Sequence, residues 1–173
     1  MSKKEIHQGG CLCGKVRYET DGSPERSGVC HCRYCQLRTG SSFGISIYFK
    51  DEDVKVISGD LKEYKYETES ARDVTVRFCS DCGSSLFWQV GSFKGMTGVA
   101  GGSYDPPSFW YKIDREVFCR SGAPFVSTNI KEKHETHPDY KPVNAEHSIL
   151  KGSNENKKPI LFLRSALTHT SRQ

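Results

Sequence analysis

At 173 residues, 35% of them apolar, the chain is long enough for one domain with a core, but that core is lightly furnished. No stretch approaches the roughly 20 apolar residues that span a bilayer, and the N-terminus lacks the apolar region of a secretory signal. The net charge of +4 sits mainly in residues 131–173, with eight Lys/Arg against five Asp/Glu, so residues 1–130 offer no concentrated basic face for nucleic acid.

In chain order the first feature is Gly10-Cys11-Leu12-Cys13-Gly14. Residues i and i+2 of an extended segment face one side, so both sulfurs reach one point, and the flanking glycines permit close approach or positive φ. Alternation through Val16 and Tyr18 predicts a strand over 14–20, ended by the turn signal Asp21-Gly22-Ser23-Pro24. Next comes Cys30-His31-Cys32-Arg33-Tyr34-Cys35. Cys30 and Cys32 share a face and Cys35 comes round a turn to join them. His31 points the other way, as a packing or supporting residue rather than a ligand. At most a short helix fits 32–38.

Further strands are read at 44–50, with Ile45, Ile47 and Phe49 on one face, around Val54 and Val56, and around Tyr64 and Tyr66. Val74, Val76 and Phe78 form another, and Leu86, Trp88 and Val90 are expected to share a face of the next. Between these last two lies Cys79-Ser80-Asp81-Cys82-Gly83. A thioredoxin-type redox pair would be followed by a helix; here a turn and a strand follow, so the pair reads as a zinc knuckle. Cys119 falls in an apparent strand and reads as a buried free thiol, with a fourth-ligand role as the alternative.

Beyond Ile130 the chain turns polar and loses its alternation. Such a composition buries too little apolar surface to offset its ordering entropy. Residues 1–130 are therefore read as the domain. Residues 131–173 are a polar appendage, disordered in part or docked, whose His134, His137 and His147 are not taken as ligands. The apolar run 160–163 is a candidate edge strand or short helix.

Seven of the eight cysteines thus fall into two pairs and one triple. In a reducing compartment such clusters hold metal or do chemistry rather than form cystines. Structural zinc takes four protein ligands, and catalytic zinc keeps three and an open position. The economical partition gives Cys11, Cys13, Cys79 and Cys82 one closed ion, and Cys30, Cys32 and Cys35 a second, open one. Two ions on seven thiolates would leave the net charge of residues 1–130 near −2.

With these motifs in order the chain resembles the glutathione-dependent formaldehyde-activating enzyme and centromere protein V family. The matching pieces are the first cysteine pair with its glycines, the stretch from Cys30 to Phe43, and Arg77-Phe78-Cys79-Ser80-Asp81-Cys82-Gly83-Ser84-Ser85-Leu86-Phe87. Val99-Ala100-Gly101-Gly102-Ser103-Tyr104-Asp105 and Glu116-Val117-Phe118-Cys119 complete them. The resemblance implies an Mss4-like fold, mainly β, of several small coiled antiparallel sheets stapled by zinc. It also implies two Zn²⁺ per chain with the partition just given. The implied activity is that of a carbon–sulfur lyase acting on S-(hydroxymethyl)glutathione, with glutathione and formaldehyde as partners. Gly122-Ala123 stands where relatives carry larger or basic residues, so the thiol can differ.

Zinc with an open position deprotonates a thiol, whose pKa is ordinarily about 8.5, and holds it for attack on an aldehyde. Arg33, Arg38, Thr39 and Ser41 follow the triple, either as groups that meet substrate carboxylates or as an ordinary solvated loop. The rival readings are a non-catalytic zinc module for a protein or nucleic-acid partner, and a metal store or redox sensor using the triple. A cytoplasmic protein is expected, with the nucleus as the alternative and no membrane partner.

Overall fold

The computed structural model describes residues 5–143; the run 160–163 and His147 lie outside the described residues. The protein is mainly β, as its alternation predicts. The strands are β1 (Ile6–Gly10), β2 (Arg17–Asp21), β3 (Arg26–Cys30), β4 (Gly44–Lys50), β5 (Val54–Ser58) and β6 (Leu61–Glu67). They continue as β7 (Asp73–Cys79), β8 (Ser85–Val90), β9 (Met96–Ala100), β10 (Arg115–Val117) and β11 (Glu132–Lys133). One short helix, α1 (Arg33–Thr39), lies between β3 and β4 and stops at Gly40, whose φ of 64° is the left-handed cap that a helix end favours.

Strands β1, β2 and β5 make a three-stranded antiparallel sheet. The other eight lie in the order β11-β10-β3-β4-β9-β8-β7-β6. All of its pairings are antiparallel except those of β10, which runs parallel to β3 and to β11. Residues of both sheets meet in one core. Val16 and Tyr18 come from the small sheet's side, and Ile47, Phe49, Phe87 and Val99 from the large sheet, each at most 1% exposed. Each such side chain contributes about 1.5–3 kcal/mol by leaving water.

The opposite face of the large sheet carries a second, smaller apolar cluster. Val74, Val76 and Trp88 pack there with Tyr48, Tyr66 and Val90. The expected common face of Leu86, Trp88 and Val90 holds only for the last two. Arg77 pairs with Phe87 but Phe78 with Ser85, so Leu86 is an extra residue in a bulge. It joins Phe87 in the main core while Trp88 turns to the other side. The apparent strand around Cys119 is also shorter than its pattern suggests. β10 ends at Val117, Phe118 takes a φ of 58°, and Cys119 opens a single 3₁₀ turn.

The polar stretch after Ile130 is docked as far as the described residues run. β11 pairs with β10, His134 N–H donates to the Glu116 carbonyl and Val143 N–H to the Glu69 carbonyl. Beneath it Glu116 is buried at 5% exposure, with one oxygen 2.6 Å from His31 Nε2 and the other bonded to the Lys133 ammonium at 2.8 Å and to Thr128 Oγ1. Burial alone would raise its pKa, but Lys133, Thr128 and His31 outweigh it and hold the carboxyl at about 2. The stability this provides is complete above about pH 4.5 and is lost as pH falls toward 2. Removing the carboxylate strands a buried histidine and a lysine, so Glu116→Ala is expected to cost about 3 kcal/mol. Thermal melting at neutral pH reads this; an unchanged midpoint would show that the network holds nothing together.

Candidate functional site

The two cysteine pairs, 66 residues apart from Cys13 to Cys79, form matching turns. Cys79-Ser80-Asp81-Cys82 closes with a Gly83 N–H to Cys79 carbonyl bond of 3.0 Å, and Gly83 sits at φ 73°. Cys11-Leu12-Cys13 is not extended, as the i/i+2 argument supposes, but turns in the same way. Gly14, at φ 77°, donates to the Cys11 carbonyl at 3.0 Å, and Val16 N–H donates to Cys11 Sγ at 3.2 Å. Only residues free of a Cβ clash take such angles without strain, which is why a glycine follows each pair. Lys15 bridges the two turns by pairing with Asp81.

The turns bring the sulfurs of Cys11, Cys13, Cys79 and Cys82 within 4.8 Å of one another. Cys11 and Cys13 are 3.4 Å apart, and Cys13 and Cys79 are 3.8 Å apart. Four thiolates around a tetrahedral zinc with bonds of about 2.3 Å stand roughly 3.8 Å from each other, so the donor set and its spacing fit that ion. The Ser84 hydroxyl donates to the Cys82 sulfur at 3.2 Å and is the main cause of a thiol pKa of about 5 there. Cys11 and Cys79 are buried and belong to the main core, so the cluster is continuous with the packing between the sheets.

Cys30, Cys32 and Cys35 form the second cluster, also within 4.8 Å. Cys30 ends β3, Cys32 holds extended backbone (φ −63°, ψ 153°) as the residue before α1, and Cys35 lies on its first turn. Strand, extended residue and helical turn thus converge, as the spacing predicts. The Cys35 thiol is held well below its usual pKa by hydrogen bonds from Cys30 and Cys32, with the Arg38 guanidinium 3.8 Å from its sulfur adding to the effect.

His31 is not in this cluster. Its side chain is 2% exposed and directed at Glu116, packed beside Phe43. Cys119 also stands apart; its thiol donates weakly to the Glu116 carbonyl at 3.7 Å, and burial raises its pKa. His134 is bound to Glu132.

A cavity opens beside the triple. Its walls include Cys30, Cys32 and Cys35, the rings of Tyr34, Tyr48, Tyr66, Trp88 and Phe93, and the guanidinium groups of Arg26, Arg38, Arg72 and Arg115, against one carboxylate, Glu69. Arg38 lies flat over Trp88, 3.6 Å from the ring centre, and the Trp88 indole donates to the Tyr48 hydroxyl at 2.9 Å. Of Arg33, Arg38, Thr39 and Ser41, Arg38 alone lines this cavity. Thr39 bonds the Cys35 carbonyl at 2.8 Å, Ser41 donates its N–H to Thr39, and Arg33 reaches Gln36. Sequence reasoning missed Arg26, Arg72, Arg115 and the ring set. The signal for two of the rings was present: Tyr48 and Trp88 each adjoin core positions along their strands, but alternation does not say which face of a sheet is left open.

Among the described residues no helix is long and apolar enough to cross a membrane. No curated protein matches the chain. A crystal structure of a Rhodobacter sphaeroides protein is similar at 23% identity with a TM-score of 0.47, over 61% of this chain and 96% of that one. Residues 6–121 match the model of the family described as glutathione-dependent formaldehyde-activating enzyme. That match runs from β1 to the end of the 3₁₀ turn, covers more than half of the chain and takes in both cysteine clusters, so the protein belongs to the glutathione-dependent formaldehyde-activating enzyme family.

Proposed function

We propose that the protein is a zinc-dependent enzyme of carbon–sulfur lyase type, acting on a thiol–aldehyde adduct such as S-(hydroxymethyl)glutathione. Cys11, Cys13, Cys79 and Cys82 would hold a structural Zn²⁺, and Cys30, Cys32 and Cys35 a second, catalytic one. The observation that carries the reading is the asymmetry between the clusters: the four sulfurs are anchored in the core through Cys11 and Cys79 and line no such cavity, whereas the three line an aromatic and cationic one. A family match supports glutathione and formaldehyde as the partners, and reduced thiols suit a compartment such as the cytoplasm.

Zinc held by Cys30, Cys32 and Cys35 would supply an exchangeable soft position that favours the thiolate form of a substrate sulfur. The chain's own residues do the rest. Arg38 places positive charge beside the Cys35 sulfur, and aromatic rings form the apolar walls around it. The guanidinium groups offer partners for substrate carboxylates. In the reaction the carbon–sulfur bond of RSCH₂OH breaks, its hydroxyl proton departs, the oxygen becomes the carbonyl of formaldehyde, and the sulfur leaves as thiolate and regains a proton. No outside oxidant or reductant enters.

The test is exchange NMR on ¹³C-formaldehyde, glutathione and the full zinc-loaded chain. Faster exchange between adduct and free aldehyde than with free zinc at equal concentration is expected. No acceleration at any protein concentration would remove the enzyme reading and leave a non-catalytic zinc module that binds a protein or nucleic-acid partner.

A further inference from the structure

The family match ends at residue 121, yet the cavity beside the three cysteines has a wall contributed from beyond it. His137 and Tyr140 line the same space as Cys30, Cys32 and Cys35. The segment carrying them is fastened at both ends. At its start Cys119 N–H donates to the His134 carbonyl at 3.0 Å, and at its end Val143 N–H donates to the Glu69 carbonyl at 2.8 Å.

Between those ties it touches three loops that also line the cavity. Tyr140 meets Phe118 edge-on at 5.3 Å, after β10. Arg72, between β6 and β7, donates to the Asp139 carbonyl. His137 packs on Phe93, between β8 and β9, at 6.2 Å. Inside the segment, Tyr140 N–H bonds the His137 carbonyl at 2.8 Å and Asp139 N–H bonds His137 Nδ1 at 3.1 Å. A segment tied in this way is shaped before any ligand arrives, so contacts to it cost little ordering entropy.

We propose that residues 134–143 are the specificity wall of the three-cysteine cavity, selecting thiols with an anionic, peptide-sized body over small neutral ones. The inference rests on the thiol-binding reading above. Size follows from position. The sulfur end of a ligand is fixed by the cysteines, and only a body that extends from it meets Tyr140 and His137. Charge follows from the lining, where four arginines stand against a single glutamate; Arg72 also donates to the Asp139 carbonyl and Arg115 Nε lies 3.7 Å from Glu132, which leaves Arg26 and Arg38 as the main partners for an anion. Arg26 lies 5.0 Å from the Phe93 ring centre and Arg38 3.6 Å from that of Trp88, and a guanidinium held against a ring keeps N–H groups with which to pair a carboxylate.

The test uses the full zinc-loaded chain, its Tyr140→Ala and His137→Ala single variants and the double variant. Calorimetry reads the binding of glutathione and, separately, of 2-mercaptoethanol; zinc content and circular dichroism confirm that each variant is folded. In the double variant glutathione is expected to bind about tenfold more weakly while 2-mercaptoethanol changes by less than about twofold. If the double variant loses zinc or structure, His137→Ala alone is expected to lower the preference about threefold, since one ring contact is lost. An unchanged preference in folded variants, or wild-type protein that binds both thiols equally, overturns the wall. Wild-type protein that binds neither thiol overturns the functional reading itself.

Discussion

Cys79→Ser is expected to yield no stably folded protein, whereas Cys32→Ser keeps the strand-rich circular dichroism spectrum. Cys79 is fully buried at the end of β7, in the large sheet. Its partners Cys11 and Cys13 sit between β1 and β2, in the small one. On the proposed partition, zinc at this cluster fastens one sheet to the other across the core. Binding at such a site carries about 10–16 kcal/mol that is realised as folding energy. A domain's whole stability is about 5–15 kcal/mol, so loss of one of four ligands removes a large share of it. Cys32, by contrast, joins β3 to α1 within one stretch of chain, and its loss weakens a metal site without parting the sheets. Metal analysis and far-ultraviolet circular dichroism on both variants decide the matter; equal unfolding would refute the division of labour.

Cobalt in place of zinc makes the second large effect visible. Sulfur-to-cobalt charge-transfer bands report how many thiolates surround each ion. Glutathione is expected to raise their intensity at the three-cysteine site and leave the four-cysteine site unchanged. Cys35→Ser should abolish that response, because it removes both a ligand and the thiol that Arg38 and the neighbouring sulfurs hold most readily deprotonated. Hemithioacetal exchange measured on the zinc forms should fall on the order of a hundredfold or more, since even residues that only support a metal ligand cost about 10–100-fold when lost. Two saturated spectra that ignore every added thiol would mean that both clusters are closed.

The part of this molecule most legible in its sequence is local. Pairs at i and i+2 or i+3 with a glycine behind them need only one turn of backbone to converge, and β4 lies where its alternation placed it, at Gly44–Lys50. Alternation failed at Leu86, because a bulge is a property of two strands in register and leaves no mark on either one alone. It failed again at Cys119, where Phe118 adopts a positive φ that a bulky residue accepts only when tertiary contacts, here its packing against Tyr140, hold it there. The segment around Tyr140 reads as a polar appendage because its anchors are mostly backbone bonds and single contacts to distant loops. None of these leaves a periodic trace. The cavity itself is assembled from at least six separate stretches, and no window of sequence contains more than two of them.

The large sheet carries its cavity on one side and its core on the other, and along β4 the two uses alternate residue by residue from Ile45 to Phe49. Ile47 and Phe49 belong to the core, Ser46 and Tyr48 to the cavity; Phe87 belongs to the core, Trp88 and Val90 to the cavity, as does Val74. In β4 the even-numbered positions 46 and 48 line the cavity and the odd-numbered ones hold the fold, whereas in β8 the bulge sends both Leu86 and Phe87 to the core. Neighbours in sequence are therefore under different demands, and Val74 and Trp88 answer to two at once, since they line the cavity while buried in the smaller apolar cluster. A combinatorial library confined to positions 46 and 48 would sample ligand preference with the main core intact, while the same diversity at 47 and 49 would fall on side chains at most 1% exposed and would mostly yield chains that do not fold.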